Sequence, residues 1–467
     1  MIANLEPYKE YKNSEIAWLG AVPKHWNAHP GFAAFREKQV KNKGMKENTV
    51  LSLSYGRIIV KPLEKLHGLV PDSFETYQIV NPGNIIIRST DLQNDWTSLR
   101  VGFVRDLGII TSAYICLETT GILNPEYGYQ LLHAFDLLKV FYGMGSGLRQ
   151  NLSFSDFKRM PVFIPPLEEQ TSIVRFLEHS TLRLERAIRA KRKVITLLQE
   201  QKQVIVQQAV TKGLDSGVAL RDSGVPWLGE IPAHWDFRSF ARLSRIARGA
   251  SPRPAGDKRF FNGKHISWLT VGEVTKDSKM YLEKTESGLT KLGEENSVRF
   301  SAGTLVITNS GATLGVPKIL AIDACANDGI VAFKQLNPII DSCFGYYYLS
   351  TLTERLRDEL KQGGTQPNLN IGIVRSITCP IPPISEQKQI LEYIVFETEK
   401  LNTVISRLER EIDLLREYKT RLVADVVTGK LDVRFAAQQL PDTPIETLLE
   451  TQDEVDLTDT ELEESNE

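Results

Sequence analysis

Two stretches of the chain follow the seven-residue period of a coiled coil. Leu177, Leu184, Lys191, Leu198 and Ile205 recur every seventh position, with Thr181, Ile188, Ile195, Lys202 and Ala209 four places further on. The second stretch repeats the pattern with Ile394, Leu401, Leu408, Leu415 and Leu422, followed by Thr398, Ile405, Ile412, Lys419 and Val426. Such spacing holds an apolar stripe on one side of a helix, and five heptads of it predict a helix that packs along its length. Each stretch begins at a Pro-Pro pair, 165–166 and 382–383, and runs without proline or glycine to Gly213 or Gly429. Proline ends what precedes it and suits a first helical turn. Some forty residues at about 1.5 Å each give a helix of roughly 60 Å. One such helix suggests an oligomer, whereas two in one chain favour pairing with each other. Lys202 and Lys419 at equivalent seam positions set register or leave a wet gap for another subunit.

Elsewhere the pattern is short and β-like, with runs at 50–54, 84–88 and 304–308 bounded by Gly, Pro or Asn. Helical patterns follow near 127–141 and 345–360. The expected organisation is an α+β domain over 1–165, a long helix over 166–213, a second α+β domain over 214–382, a second helix over 383–429, and a C-terminal segment over 430–467.

The chain also repeats itself. Residues 14–26 recur as 223–235 with seven of thirteen positions identical, including Trp18, Pro23, His25 and Trp26 against Trp227, Pro232, His234 and Trp235. At an offset of 217, residues 147–152 match 364–369, and the I-P-P-[LI]-x-E-Q run at 164–170 matches 381–387. Between these motifs the halves diverge almost completely. Two copies share a frame and differ in their contents.

Charge sharpens this picture. The net charge of −2 hides eleven acidic residues and no Lys or Arg after Arg434, which leaves a body of +9 over 1–434. The acidic end reads as a disordered tail, and the body as a surface that tolerates a polyanion. Four scattered Cys without a C-x-x-C pair read as buried free thiols of a reducing cytoplasm. No run approaches the roughly 20 apolar residues of a membrane span, and the first residues lack a signal-peptide core.

Motifs of chemistry are missing. There is no G-x-x-x-x-G-K-[ST] for nucleoside triphosphate and no metal spacing among the seven His residues. No Asn-Pro-Pro-aromatic motif of an amino-methyltransferase occurs, and Pro71-Asp72 lacks the following [DE]-x-K of a common nuclease site. The repeated Pro-x-His-Trp reads as a structural contact, with its tryptophans as core anchors. No catalytic residue, metal site or cofactor is expected, so the chain is read as a binder.

Basic residues gather in the divergent segments. Arg238, Arg242, Arg245, Arg248, Arg253, Lys258, Arg259 and Lys264 stand against Asp257 alone, and Lys41, Lys43, Lys46, Arg57 and Lys61 occupy a comparable place in the first half. Such side chains meet DNA phosphates by releasing counterions. Arg88 with residues 89–91, and Asn309 with Thr313, follow comparable strands and supply candidate base readers. Arg149 and Gln366, in the repeated motif, suit frame or backbone contacts.

Together these features resemble the specificity subunits of type I restriction–modification enzymes, over about residues 10–435. The resemblance rests on W-L-G-x-x-P-x-H-W at 18–26 and 227–235, the I-P-P-[LI]-x-E-Q openings, the long helices, and Thr-x-x-Leu-Asp at 211–215 and 428–432. Residues 51–57 are similar to the start of a target-recognition domain. The resemblance implies an α+β fold with two target-recognition domains separated by two antiparallel coiled-coil helices, a pseudo-twofold internal repeat. Each domain would read half of a bipartite, asymmetric target in double-stranded DNA. The helices would set the gap and help dock two modification (methyltransferase) subunits, which supply the S-adenosylmethionine chemistry. Restriction subunits would add ATP-driven translocation and cleavage. The competing readings are a stand-alone DNA-binding regulator and a coiled-coil scaffold that binds no nucleic acid.

Overall fold

The computed structural model describes residues 5–62, 73–144, 151–311, 313–358 and 368–441. They fall into two compact units, Met1–Lys191 with Arg410–Glu467, and Arg192–Glu409. These units cut across the organisation expected from sequence, because each takes part of both long helices.

In the first unit, strands Phe35–Lys38, Ile115–Thr119, Ile85–Ile87 and Val101–Phe103 lie side by side in that order, all antiparallel. The run at 85–87 has no polar alternation because both faces are covered. Ile85 and Ile87 point into the core with Tyr127 and Phe135, while Ile86 joins a smaller core with Leu51, Val80 and Cys116. Helix Pro125–Leu137 starts at an N-cap, where the Asn124 side chain accepts from the Tyr127 N–H. It stops earlier than the sequence pattern suggested, since Lys139 takes a left-handed conformation at φ 59°.

The second unit repeats the plan. Arg245–Arg248, Ile330–Lys334, Leu305–Thr308 and Pro317–Leu320 form the corresponding neighbours, extended by Tyr281–Leu282. Leu305 and Ile307 face one core and Val306 the other. The helical pattern at 345–360 resolves into Ser342–Ser350 and Thr353–Asp358. The break falls where the Ser350 and Thr351 hydroxyls turn back onto the carbonyls of Tyr347 and Tyr348.

The long helices are Leu167–Lys212 and Ile384–Val427. None of the seam positions is exposed: Leu177, Ile188, Ile394, Ile405, Ile412 and Leu422 are buried, and Leu184, Ile195, Leu198, Ile205, Leu401, Leu408 and Leu415 are half-buried. The pairing is antiparallel, as the expected fold requires. In the first unit Lys419 bonds to Glu185 and Lys191 lies 2.5 Å from Glu411. In the second, Lys202 donates to the Asn402 side chain at 3.0 Å. Since 185 corresponds to 402 and 202 to 419, the two seam lysines make cross-helix contacts at equivalent positions in each copy, one to a carboxylate and one to an amide.

The C-terminal segment does not stand apart as far as residue 441. Glu6 bridges Asp432, and Val433 and Ala437 are buried in the first unit's core. The acidic tail beyond lies outside the described residues. Cys116, Cys325 and Cys379 are buried free thiols, as the sequence suggested, but Cys343 is only half-buried, with its sulfur 3.1 Å from the Tyr281 hydroxyl.

Each long helix ends on a left-handed glycine. Gly429, at φ +78°, lies against Pro23 and Trp26, where an added Cβ would come 2.3 Å from a Pro23 ring carbon. Gly213, at φ +75°, offers 3.1 Å to Trp235. Gly429→Ala should therefore cost about 2–4 kcal/mol and Gly213→Ala about 1–2, read as shifts in denaturation midpoint.

Candidate nucleic-acid interface

The repeated motifs build the frame that holds the candidate loops. Glu169, at the start of the first long helix, accepts bonds at Oε1 from the Trp26 indole (2.9 Å) and the Tyr8 hydroxyl (2.7 Å), and its Oε2 lies 2.7 Å from His25 Nε2. Glu386 takes the Trp235 indole at 3.0 Å and lies 2.8 Å from His234 Nε2. The neighbouring Gln170 accepts from the Asn124 N–H and donates to the carbonyls of Ile122 and Pro165. Gln387 does the same with Asp341, Ile339 and Pro382. So each Glu-Gln pair fastens the entry segment with one residue and the N-cap of the domain helix with the next.

The loops leaving one end of each central sheet carry most of the candidates. In the first domain these follow Lys38 and Ile87 and precede Val101 and Ile115. Lys41, Lys43 and Lys46 are exposed on a turn organised by the buried Asn42, whose side chain bonds to the Glu47 carbonyl and accepts its N–H. Hydrogen bonds from Thr49 and Asn48 hold the Glu47 carboxyl below the usual range, so it serves as a cap beside the lysines. This turn reaches the Arg88 loop through shared contacts. Lys41 bridges Gln78, the Gln78 amide donates to the carbonyls of Thr111 and Tyr114, and Ser89 donates to Ala113. Lys61 is half-buried at the end of its strand's hairpin.

Arg57 has a partner that the sequence did not suggest. Its guanidinium sits 3.3 Å from Glu185 on the long helix. Burial pushes the Glu185 carboxyl up, but Lys419 and Arg57 outweigh it and hold the group below the usual carboxylate range. Arg57 therefore ties the small hairpin of the domain to the helix while its side chain stays exposed.

The Arg88 loop is built around a residue that sequence reading passed over. Arg100 is fully buried, and its five N–H donors meet five acceptors. These are the Tyr142 hydroxyl (3.0 Å) and the carbonyls of Arg88 (3.3 Å), Thr90 (2.7 Å), Asp91 (3.1 Å) and Asp95 (2.7 Å). Asp95 also lies 3.4 Å from Arg88. Burial works against its charge, yet bonds from Ser98 and the two guanidinium groups hold the Asp95 carboxyl below its ordinary value. Gln93, Asn94, Trp96 and Thr97 are exposed at the tip. A lone arginine between apolar residues gave little signal, because its partners are carbonyls brought in by the fold.

In the second domain, Arg248 donates to the Asp328 carbonyl at 2.5 Å and Ser251 bonds to the Asp328 carboxylate. Asn309 N–H donates to Gly329, so the loops bearing Arg248, Arg253 and Thr313 converge on the turn at 327–329. Thr313, Arg253 and Lys258 are exposed. Arg259 is exposed but engaged in a two-point contact with Asp257, with 2.7 Å at its closest. Asn309 does not fit the role expected of it. It is 1% exposed, with its amide directed to Asn368 and Leu369, so it fastens the loop and cannot reach a base edge. The basic run of the second half also divides. Arg242 and Arg245 lie at the opposite end of the sheet, lining a cleft with Arg375, which sequence reading had no reason to join to them. Arg149 and Gln366 lie outside the described residues.

Among the described residues no group of three His, Cys, Asp or Glu could hold a metal ion, and no helix is long and apolar enough to cross a membrane. Comparison with known proteins agrees with this geometry. The type I restriction modification DNA specificity domain matches residues 35–193 and again 232–412. From Methanocaldococcus jannaschii, a protein assigned provisionally as the MjaX specificity subunit of a type I restriction enzyme is 21% identical over 93% of this chain and 100% of its own length. The MjaVIII specificity subunit of the same organism is 23% identical over 75% of this chain and 81% of its own. A solved chain, from work on complex assembly and conformational transition of the type I R-M system, shares the fold with a TM-score of 0.64 at 14% identity, covering 88% of this chain and 99% of that one. With the domain matched twice, over the same two halves that carry the repeated frame and the divergent loops, the chain belongs to the type I restriction–modification DNA specificity family.

Proposed function

We propose that this chain chooses the DNA target of a type I complex in the cytoplasm, each domain reading one half of a bipartite, asymmetric site. The observation that carries this reading is the duplicated frame holding dissimilar loops. Glu169, Gln170 and Asn151 have counterparts in Glu386, Gln387 and Asn368, while the loops they support share neither length nor sequence. A frame used twice with different contents suits two readers on one scaffold. The exposed lysines and arginines would contact phosphates and position each domain, leaving discrimination to side chains at the loop tips. The paired helices would fix the gap between half-sites, and the two copies of the frame would dock two methyltransferase subunits. Restriction subunits would join the same assembly, and S-adenosylmethionine, ATP and Mg²⁺ would be held by these partners.

Two measurements test this. The purified chain, given S-adenosylmethionine and DNA, should transfer no methyl group. Combined with its methyltransferase subunits it should direct methylation to one split sequence. Exchanging residues 236–382 for the matching segment of a relative with a different target should then alter one half of that sequence and spare the other. Methylation by the chain alone, or a change in both halves, would overturn the proposal.

A further inference from the structure

We propose that the loop between Arg88 and Arg100 is the base-reading element of the first domain. Gln93 meets a base edge, Trp96 forms an apolar platform against the duplex, and Arg100 is the positioning residue. This rests on the reading of the chain as a DNA specificity subunit and assigns part of that task to named side chains.

The first support is the way the loop is held. A buried guanidinium is tolerated only when its hydrogen bonds are met, and here four of the five acceptors are main-chain carbonyls of the loop itself, at 88, 90, 91 and 95. The backbone is therefore fixed from below without enlisting the side chains at its tip. Leu92, fully buried, adds an apolar anchor, and the frame residue Asn151 accepts from the Asp91 N–H at 3.2 Å. Asp95 Oδ1 takes the N–H of Ser98 and closes the far side of the loop. A recognition group held this way loses little freedom on binding.

The second support comes from accounting for the polar atoms at the tip. The Asn94 amide nitrogen is engaged by Asp91 at 2.8 Å. The Trp96 indole N–H donates to the Gln93 carbonyl at 3.1 Å, so the part of the ring left outside is apolar. Trp96 is 54% exposed, yet its ring is not loose. It lies 4.6 Å from the Tyr142 ring at 31°, and the Tyr142 hydroxyl bonds to Arg100 and to the Asp95 carbonyl. The exposed Gln93 amide has no side-chain hydrogen bond among the described residues. A free carboxamide on a rigid support can pair two-fold with adenine N6 and N7 in the major groove, and an adjacent apolar ring suits a thymine methyl. Among the described residues the equivalent loop of the second domain, following Leu305–Thr308, is held differently, with the half-buried Arg357 donating to the Leu314 carbonyl at 3.0 Å in place of a fully buried guanidinium.

The test uses the full chain assembled with its methyltransferase subunits, acting on a library of split targets randomised one position at a time. Gln93→Ala should relax discrimination at one position of the first half-site, on the order of 10- to 100-fold. Trp96→Ala should relax a neighbouring position. Both leave the second half-site unchanged. Arg100→Lys keeps the charge but offers three donors in place of five, so it should blur the whole first half while the second half and assembly with the methyltransferase stay intact. If the exposed-residue variants read the first half as the parent does, the proposal is overturned. If the parent complex selects no split target at all, the underlying reading fails instead.

Discussion

Replacing Glu169 with alanine should destabilise the first unit by about 3–5 kcal/mol, whereas Glu386→Ala in the second should cost about 1–3 kcal/mol. Glu169 is 4% exposed and collects three partners, Tyr8, Trp26 and His25. Removing its carboxylate leaves an indole N–H and a phenol without acceptors in a buried place, and each such group costs roughly 1–3 kcal/mol. Burial, with the bonded Glu169, pushes the Tyr8 phenol up, so it remains a donor that must be satisfied. Glu386 has two partners, and its side chain is 26% exposed, so water replaces part of what is lost. Because unfolding of two compact units need not be one transition, the measurement is hydrogen exchange. Loss of protection should centre on 11–30 for the first variant and on 220–239 for the second. Equal losses in the two units would show that the extra Tyr8 contact carries no weight. Glu169→Gln, which keeps an acceptor for Trp26 and Tyr8, should lose less than the alanine variant.

Much of this architecture was legible in the sequence because the features that fix it are local and repeated. The heptads at 177–209 and 394–426 specify helices that need a partner, and every seam residue turned out buried or half-buried. The apolar runs near 85 and 305 announce strands buried on both faces. Candidate site residues were less legible, for reasons visible at single positions. Asn309 looks like a base reader beside its strand, yet the fold brings Asn368 and Leu369 from some sixty residues away and turns its amide inward. Arg57 sits among lysines in sequence, and although it stays exposed the fold brings it to a carboxylate 128 residues later, which no local pattern announces. Arg100 and Tyr142 become a loop support only when helix, strand and loop meet. Composition marks where charge accumulates, while hydrogen bonds between distant segments decide which side chains are spent on the fold and which remain for a ligand.

The helices offer the second large effect. Inserting one heptad into both, between Lys191 and Arg192 and between Glu409 and Arg410, should change the permitted gap between half-sites by up to about three base pairs and leave the half-site sequences alone. Seven residues add about 10 Å of helix, against about 3.4 Å per base pair. Seven is also the repeat of the seam, so Leu198 and Ile412 keep their seam positions, and contacts such as Lys202 with Asn402 survive in their own unit. Inserting the heptad in one helix alone would leave about two turns without a partner and shift one lysine contact against the other, so it should weaken assembly instead. The new gap also rotates one half-site about the duplex by roughly a third of a turn, since a turn takes about 10.5 base pairs. The one-heptad complex should therefore methylate its lengthened target more slowly than the parent does its own. A matched insertion of three heptads, near one full turn in length, should recover part of that rate at a gap longer by up to about nine base pairs. Sequencing methylated sites for each complex checks both expectations. A heptad variant that keeps the parental gap, or one that alters a half-site sequence, would show that the helices do not measure the distance.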